Sequence, residues 1–399
     1  KLDRRDSQLY GADYERYLSL LLGGGGSTSY INGVLGLAPG RAFPADQGLD
    51  DRYRQDEESW ALFTHHTLRL SERLSLSLGL RYTDERKRVA ASFDNTDDGV
   101  GCAAAQAVRA SSAGTLCLPW SNPAFNDLRQ RQRLHEKEWT GSVQALYRLA
   151  PQANLFAGYA RGYKAGGFNL DRSQTGLTPD ASTAFPGEFV DSFEAGAKTA
   201  WLGGALTVNA SLFHQGYDDF QLNSFLGTTF AVRSIPKVTA KGVDADFRFR
   251  APVDGLSLQG GLVYAQTEYG PDPIAGLPRL SGSRLSFAPL WSGSLGASLE
   301  RPVAAGLTGR ASVDLKYSSS YNTGSDLDPR KVQPGFALVN ARLGVGAQNG
   351  AWRLELWAQN LFDKRYYQVA FGAPFQTNTI GAFLGAPRTL GATLRVAMR

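Results

Sequence analysis

Residues 74–83 read LSLSLGLRYT, and this stretch decides the fold. Apolar side chains occupy every second position from Leu74 to Tyr82, and small or polar residues stand between them. Because successive side chains of a β-strand point to opposite faces of its sheet, the alternation indicates a strand with one apolar and one polar face.

The same two-residue period recurs along the chain, for example around Trp139, Phe193, Val243, Leu307 and Leu390. Turn residues separate these stretches, and together they predict fourteen strands. The predicted strands are 5–22, 59–71, 74–90, 135–149, 154–165, 188–201, 205–226, 230–251, 256–269, 286–300, 306–320, 335–347, 351–371 and 387–398.

The connections between these strands are alternately short and mostly long, and the link at 226–229 is the one short member of the long set. Residues 71–73 and 202–204 form short ones, whereas 91–134 and 166–187 form long ones. All long connections therefore leave the same end of the sheet, as in outer-membrane barrels. We predict an all-β fold, an antiparallel transmembrane β-barrel with short periplasmic turns and long extracellular loops. The alternative is a soluble sandwich or lectin, in which the apolar rows would be buried inside the fold.

The composition narrows the possible functions. The 399 residues include 45 glycines and 11% aromatics, which favours strands and turns over helices. A net charge of +5 over this length gives no electrostatic footprint for nucleic acid. We therefore predict that nucleic acid is not a partner.

Three short motifs suggest catalysis, and each lacks a required residue. The Gly23–Gly26 run has no Lys-Ser or Lys-Thr after it, as a phosphate loop would. His135 is followed by Glu136 but not by the second histidine of a zinc-protease helix, and residues 292–296 miss the nucleophile elbow by one glycine. We predict that the protein is not an enzyme and uses no metal or other cofactor.

The chain has two cysteines, Cys102 and Cys117, in a polar segment. A close pair with no third cysteine fits a loop-closing disulfide better than a metal site. We predict this bond in an outside loop, and hence an oxidising compartment. The alternative is two unpaired thiols.

Several longer motifs keep a characteristic order and spacing. They are NLFDKRYY at 360–367 in the predicted penultimate strand, GYKAGGFN at 162–169, EFVDSFEAGAKT at 188–199, and the stretches 79–83 and 387–391. Together they resemble the C-terminal barrel of TonB-dependent outer-membrane receptors of the siderophore type. The residues taken from the most specific motif are Asn360, Leu361, Phe362, Asp363 and Tyr366.

The resemblance runs from about residue 59 to the end, and it implies that residues 1–399 are the C-terminal portion of the receptor β-barrel domain. Such receptors have a plugged barrel of 22 strands, and a globular plug and a short TonB box precede it. We expect about fourteen of those strands here, with the plug and the first strands absent. A passive porin or surface adhesin with a complete fourteen-strand barrel is the alternative.

The resemblance also implies a function in the outer membrane of a Gram-negative bacterium. The receptor would bind a ferric siderophore or a similar large nutrient and import it into the periplasm. The TonB complex of the inner membrane would supply the energy. The receptor would be a monomer in outer-membrane lipid, and its cargo would be an Fe(III)–siderophore complex.

Aromatic and basic side chains near the outside loops are the candidates for ligand binding. Rings can stack on a flat, partly apolar chelate, although they can also pack within the loops. Charges on the polar face, such as Arg248 and Asp314, either solvate the wall or guide an anionic ligand. The substrate-binding candidates are Tyr163, Lys164, Phe168, Tyr321, Phe371 and Phe375.

Overall fold

The fold is an antiparallel sheet of fourteen strands, the predicted number. It is seen in a computed structural model that describes residues 1–108, 116, 126–170, 182–225, 230–274, 276–373, 376 and 378–397. No helix within these ranges has the length and apolar character needed to cross a membrane.

The structure has twenty strands and three α-helices within the described ranges. The helices are α1 (Tyr14–Leu21), α2 (Thr28–Val34) and α3 (Val100–Val108). The strands are β1 (Leu2–Leu9), β2 (Gly48–Arg69), β3 (Leu74–Asn95), β4 (Leu128–Ala150), β5 (Ala153–Lys164), β6 (Gly167–Phe168), β7 (Ala184–Phe185), β8 (Glu188–Trp201), β9 (Leu206–Phe225), β10 (Phe230–Arg250), β11 (Leu256–Tyr269), β12 (Trp291–Ala304), β13 (Leu307–Ser318), β14 (Tyr321–Asn322), β15 (Val332–Gln333), β16 (Phe336–Ala347), β17 (Trp352–Gln359), β18 (Tyr367–Gly372), β19 (Ile380–Leu384) and β20 (Thr389–Val396).

Strand order follows chain order throughout the main sheet, which runs β1-β2-β3-β4-β5-β8-β9-β10-β11-β12-β13-β16-β17-β20. The remaining strands form three two-stranded pairs, β6 with β7, β14 with β15 and β18 with β19. This is the meander of hairpins that the alternating short and long connections predicted.

The chain divides into two compact units. Unit 1 contains residues 1–62, 82–138 and 165–187, and unit 2 contains residues 63–81, 139–164 and 188–399.

Unit 1 has a small hydrophobic core, and α1 packs into it through Leu18, with Tyr14 and Leu22 at its edge. Apolar residues four positions apart lie on one face of a helix. The predicted strand 5–22 is therefore wrong, since β1 ends at Leu9 and a helix follows. The buried carboxylate of Glu15 in this helix accepts hydrogen bonds from the Asn32 side chain at 2.8 Å and the Phe43 backbone at 3.1 Å.

Three strands extend further than predicted into the long connections. β2 begins at Gly48, β3 continues to Asn95 and β4 begins at Leu128. The apolar row of the exposed face does not continue into these ends, where exposed charged residues such as Arg52 and Arg88 take its place. The apolar residues that do occur there, such as Ala91 and Phe93, are buried on the opposite face. The predicted long connections are correspondingly shorter in the structure.

The strand register of unit 2 places the apolar residues in continuous rows across the sheet. Phe247 lies opposite Gly260, Gly260 opposite Leu295, and Leu295 opposite Leu315. These apolar side chains are not covered by protein: Leu295 is 52% exposed and Leu390 is 68% exposed. A soluble sandwich would bury them, so the exposure rules that alternative out and fits a face covered by lipid.

Leu295→Arg is expected to lower the free energy of unfolding by about 2 kcal/mol, because a lipid-facing arginine within the membrane is penalised. The adjacent Ser294→Arg, which places the same side chain on the polar face, is expected to cost less than about 0.5 kcal/mol. Urea unfolding of protein folded into lipid vesicles measures both costs. Equal costs would contradict the assignment of the two faces.

Candidate functional site

The polar face of unit 2 contains a broad pocket of about 750 Å³ across β9 to β13 and β16. Arg248 lies opposite Gln259 there, and Asp314 lies opposite Asn340. The Asn209 amide donates to the Asp246 carboxylate at 3.1 Å. Charges of both signs alternate along this wall, so it suits a wet interior and a polar partner.

A second pocket of about 440 Å³ on the same face contains aromatic side chains. The rings of Phe336 and Tyr366 stack there with centroids 4.7 Å apart and planes 16° apart. Lys316 and Asp244 also line the pocket, so it combines an aromatic pair with a cation and a carboxylate. We call this the aromatic pocket.

The position of the Tyr366 ring depends on Gly385, which faces it. Gly385 donates its backbone N–H to the Tyr366 carbonyl at 2.9 Å. A Cβ at residue 385 would overlap the Tyr366 ring. The missing side chain of Gly385 therefore makes room for this ring.

Tyr321 lies in the loop after β13 and is half-buried. Burial raises the pKa of its hydroxyl, and Tyr366 adds to the effect. Tyr321 pairs with Gln333, whose side chain accepts a hydrogen bond from the Tyr367 backbone at 2.7 Å.

The loop that carries Tyr321 is braced by ion pairs. Arg330 donates to Asp328 at 2.6 Å through its side chain and at 3.0 Å through its backbone N–H. The Arg330 guanidinium holds the pKa of Asp328 far below its usual range. A second pair joins the buried Lys331 to Asp326 at 2.8 Å.

This brace is expected to weaken only in strong acid. Because the folded-state pKa of Asp328 is depressed, its stabilisation is complete above the unfolded pKa, near 4, and declines as the pH falls below that value. Asp328→Asn is expected to remove the protection of amides 322–333 at neutral pH and to abolish its acid dependence. Hydrogen–deuterium exchange, corrected for intrinsic rates, measures this. Unchanged protection in the variant would show that the brace is not needed.

The outer ends of β9, β10 and β11 pack with the described residues of three outside connections of unit 2, which fall within 270–290, 319–335 and 360–388. We call these residues the loop assembly. Its hydrophobic core consists of Leu222, Ile235, Val238, Tyr269, Leu277 and Leu280, with Leu327 packed against it.

Further contacts join the last loop to the others. The Phe371 ring lies 5.6 Å from the ring of Phe225 and 5.6 Å from that of Phe383. The Phe225 backbone donates to the Ser325 hydroxyl at 3.2 Å, and Ala370 donates to the Thr323 carbonyl at 3.3 Å. The loop assembly is therefore a packed structure rather than a set of independent loops.

The chain matches the family described as "TonB dependent receptor-like, beta-barrel" over residues 2–361. The chain belongs to this TonB-dependent receptor family. Receptors of this family are outer-membrane proteins of Gram-negative bacteria, and this is the location of the chain.

Named relatives and solved structures agree with this assignment. The chain is 24% identical over 347 residues to the metal-pseudopaline receptor CntO of Pseudomonas aeruginosa (strain UCBPP-PA14), covering 87% of this chain and 42% of that one. It is 30% identical over 221 residues to the ferric-pyoverdine M114 receptor PbuA of Pseudomonas sp. (strain M114), covering 53% and 24%. The crystal structure of the ferric yersiniabactin uptake receptor FyuA from Yersinia pestis matches with a TM-score of 0.67 and 19% identity, covering 87% and 47%. The chain thus spans less than half the length of these relatives.

Two of the binding residues predicted for this TonB-dependent receptor belong to the loop assembly. Tyr321 pairs with Gln333 of the same connection, and the Phe371 ring lies 5.6 Å from each of two other rings. Phe375 lies outside the described residues. The structure therefore brings Tyr321 and Phe371 into one assembly, and their binding role stays a prediction.

The other three predicted binding residues lie elsewhere. The Tyr163 ring packs 5.3 Å from that of Phe189, and the Lys164 ammonium is 3.9 Å from the Glu188 carboxylate. Phe168 is in unit 1 and only 7% exposed, so it packs within its loop and does not offer its ring to a ligand.

Only one cysteine of the predicted Cys102–Cys117 disulfide lies within the described residues. Cys102 is buried and disulfide-bonded. Cys117 lies outside the described residues, so the Cys102–Cys117 pairing stays a prediction.

The family motif was predicted to lie within the penultimate strand, and this is wrong. Strand β17 ends at Gln359, and Asn360 has a φ of 46°. The Asn360 amide donates to the carbonyls of Lys364 and Ala386, both at 3.0 Å. Asp363 accepts from the Arg388 backbone at 2.9 Å. The motif is a tight turn that joins the start of the loop to its end.

The motif also reaches the neighbouring strand. Leu361 donates its backbone N–H to the Val339 carbonyl at 2.7 Å, and Asn360 donates to the Asn340 side chain at 2.9 Å. Phe362 is exposed, and Tyr366 alone among the five motif residues lines the aromatic pocket.

Sequence reasoning missed Phe336 as a site residue. Its strand, β16, places Ala337 and Val339 on the apolar face and Asn340 on the polar face. Phe336 is therefore an aromatic residue at a polar-face position. That mismatch in the alternation is the signal that could have identified it.

Among the residues that the structure describes, no three histidine, cysteine, aspartate or glutamate side chains are arranged to hold a metal ion. The stacked rings and the lysine of the aromatic pocket can bind an aromatic or anionic ligand.

Proposed function

We propose that this chain is the ligand-binding part of a receptor that captures a metal–chelate complex outside the cell. The receptor imports the complex into the periplasm with energy supplied by the TonB complex. A ferric siderophore is the proposed cargo, and the receptor acts as a monomer in outer-membrane lipid. That the receptor also has a plug and further barrel strands stays a prediction.

The aromatic pocket carries this proposal. Phe336 and Tyr366 provide a stacked aromatic surface, and Lys316 provides a positive charge beside it. The flat, electron-rich arms of a metal chelate complement the rings, and an anionic group of the chelate complements Lys316, while Asp244 favours a donor group of the ligand on its side of the pocket. The names of the relatives, receptors for ferric and other metal chelates, support the same class of cargo.

Uptake of radioactive iron carried by a panel of chelates tests the proposal. Three strains are compared: one with the full gene, one with the gene deleted and one lacking TonB. Uptake of at least one chelate is expected to require both the gene and TonB. Uptake that needs the gene but not TonB would favour the passive porin.

If the uptake of every iron chelate were the same with and without the gene, the proposed cargo would be contradicted. The same strains then report whether another metal, such as zinc or copper, is carried instead. Deletion of the gene with no effect on any of these metals would contradict metal–chelate transport itself.

A further inference from the structure

Unit 1 contains a groove of about 500 Å³ on β1 to β4 that has no part in the aromatic pocket. Ala90 and Ser92 of β3 line it, and their short side chains leave space between the longer ones of β2 and β4. The arginines that line the groove are Arg4, Arg5, Arg52, Arg54, Arg129 and Arg131.

Acidic residues pair with five of the six groove arginines. Arg5 and Arg52 share Asp50, at 2.7 and 3.3 Å. Arg4 pairs with Asp6 at 2.5 Å, Arg54 with Asp56 at 3.5 Å and Arg129 with Asp94 at 3.2 Å. The remaining groove arginine is Arg131.

Three arginines have no ion-pair partner in the described part of the chain, namely Arg88, Arg131 and Arg133. Two-residue alternation places Arg88 on the same face of β3 as Ala90, and Arg133 on the same face of β4 as Arg131. All three side chains are exposed. They form a positive surface beside the groove and at its edge, where Arg131 lines it, and we call this the arginine surface.

The next residues on this face also carry excess positive charge. Asp84 accepts from His135 at 3.0 Å, and Arg86 and Lys137 approach the same carboxylate at 3.4 and 3.9 Å. One carboxylate is thus shared by three basic groups. The positive surface therefore continues along β3 and β4 towards Tyr82.

The face then becomes aromatic and apolar. The rings of Trp60 and Tyr82 lie 5.3 Å apart, and Leu62 is 72% exposed. An exposed tryptophan that contacts a half-buried tyrosine, beside an exposed leucine, is typical of the boundary between hydrocarbon and water. This pair marks the depth at which the membrane begins.

The distance from this boundary indicates what kind of anion the surface meets. Arg88 is six residues beyond Tyr82, about 20 Å along the strand and about 14 Å in height at a tilt of about 45°. The head-group layer of an ordinary phospholipid is only about 5 to 8 Å thick. A lipid phosphate can reach Arg88 only on a longer head group.

We propose that the arginine surface binds the phosphate groups of an outer-leaflet lipid that has a phosphorylated oligosaccharide head group. Guanidinium groups bind phosphate oxygens in pairs, and unpaired arginines are available to do so. The groove between β2 and β4 receives a phosphosugar, and the aromatic boundary contacts the lipid part. This role is independent of the proposed metal–chelate cargo.

Native mass spectrometry of the full chain in detergent tests the proposal. The probes are a lipid with a phosphorylated oligosaccharide head group, the same lipid after enzymatic dephosphorylation, and inorganic phosphate. The test variant is the triple substitution Arg88→Gln, Arg131→Gln and Arg133→Gln. At roughly fivefold per basic side chain, the triple variant is expected to bind the phosphorylated lipid about 100-fold more weakly.

Two control variants keep the result interpretable. The corresponding triple lysine variant keeps the charge and is expected to bind within about fivefold of wild type. The second control is Arg73→Gln, Arg148→Gln and Arg301→Gln, exposed arginines of unit 2 whose loss changes the net charge equally. It is expected to leave lipid binding unchanged.

Three results would overturn the proposal. The first is an equal loss in the unit 2 control. The second is equal binding of the dephosphorylated lipid. The third is binding of inorganic phosphate as tight as that of the lipid, which would indicate a simple anion site. If the glutamine variant fails to fold, the wild-type comparison of the two lipids still decides the question.

Discussion

Asn360→Ala is expected to lower the free energy of unfolding by about 3 kcal/mol. The side chain is 6% exposed, and its amide donates to the carbonyls of Lys364 and Ala386 in two half-buried hydrogen bonds. Alanine would lose both bonds, at about 0.5 to 1.5 kcal/mol each. It would also have to adopt a positive φ that costs about 1 to 2 kcal/mol.

The band shift of the folded protein on unheated denaturing gels, followed against urea, measures this loss. Phe362→Ala is the matched control, because Phe362 is in the same motif but 73% exposed. It is expected to change the stability by less than about 0.5 kcal/mol. If Asn360→Ala and Phe362→Ala were equally mild, the hydrogen bonds of Asn360 would not stabilise the fold.

This motif shows what a sequence resemblance does and does not provide. The letters of residues 360–367 identified the family, but they placed the segment in a strand. Asparagine is one of the few residues that tolerate a left-handed backbone and can bond its own turn. Asn360 therefore ends the strand, and that information was present in the residue type.

The fold was predictable where one face of the sheet meets lipid. In β10, Phe247 and Arg248 lie on opposite faces, and the contrast between them sets the register without ambiguity. The extensions of β2, β3 and β4 have charged residues on their exposed face, so this contrast is lost there. The number of strands could be predicted, but the length of these three could not.

The helix α1 was mistaken for a strand for a related reason. Tyr14 and Leu18 fit a period of four as well as a period of two when only a few apolar residues are counted. The hydrophobic core of unit 1 decides between the two, and it is built from distant segments, including Phe43 and Ala105. Such tertiary packing is not visible in a local pattern.

The candidate site was only partly predictable. Tyr321 and Phe371 were chosen because they are aromatic residues in outside loops, and the structure places both in the loop assembly. Phe168 was chosen on the same ground and is buried. Residue type indicates which side chains can bind a ligand, whereas exposure depends on how the loops pack against one another.

Tyr366→Ala is expected to weaken ligand binding about 100-fold, or about 2.7 kcal/mol, measured with a chelate whose uptake requires the gene. The stacked pair loses one ring, and aromatic side chains in such pockets contribute most of the binding energy. Isothermal titration of the purified protein measures the affinity. Tyr366→Phe, which keeps the ring, is expected to stay within about fivefold of wild type.

Gly385→Ala tests whether ligand binding depends on the position of the Tyr366 ring, because it moves the ring without removing it. The added Cβ overlaps the Tyr366 ring and forces it away from Phe336, while every ligand-contacting group stays in the chain. Binding is expected to fall as for Tyr366→Ala, whereas the neighbouring Tyr367→Ala leaves it unchanged. If Gly385→Ala bound normally while Tyr366→Ala did not, the ring would act in another position than the stacked one. If neither variant affected binding, the ligand would bind outside the aromatic pocket.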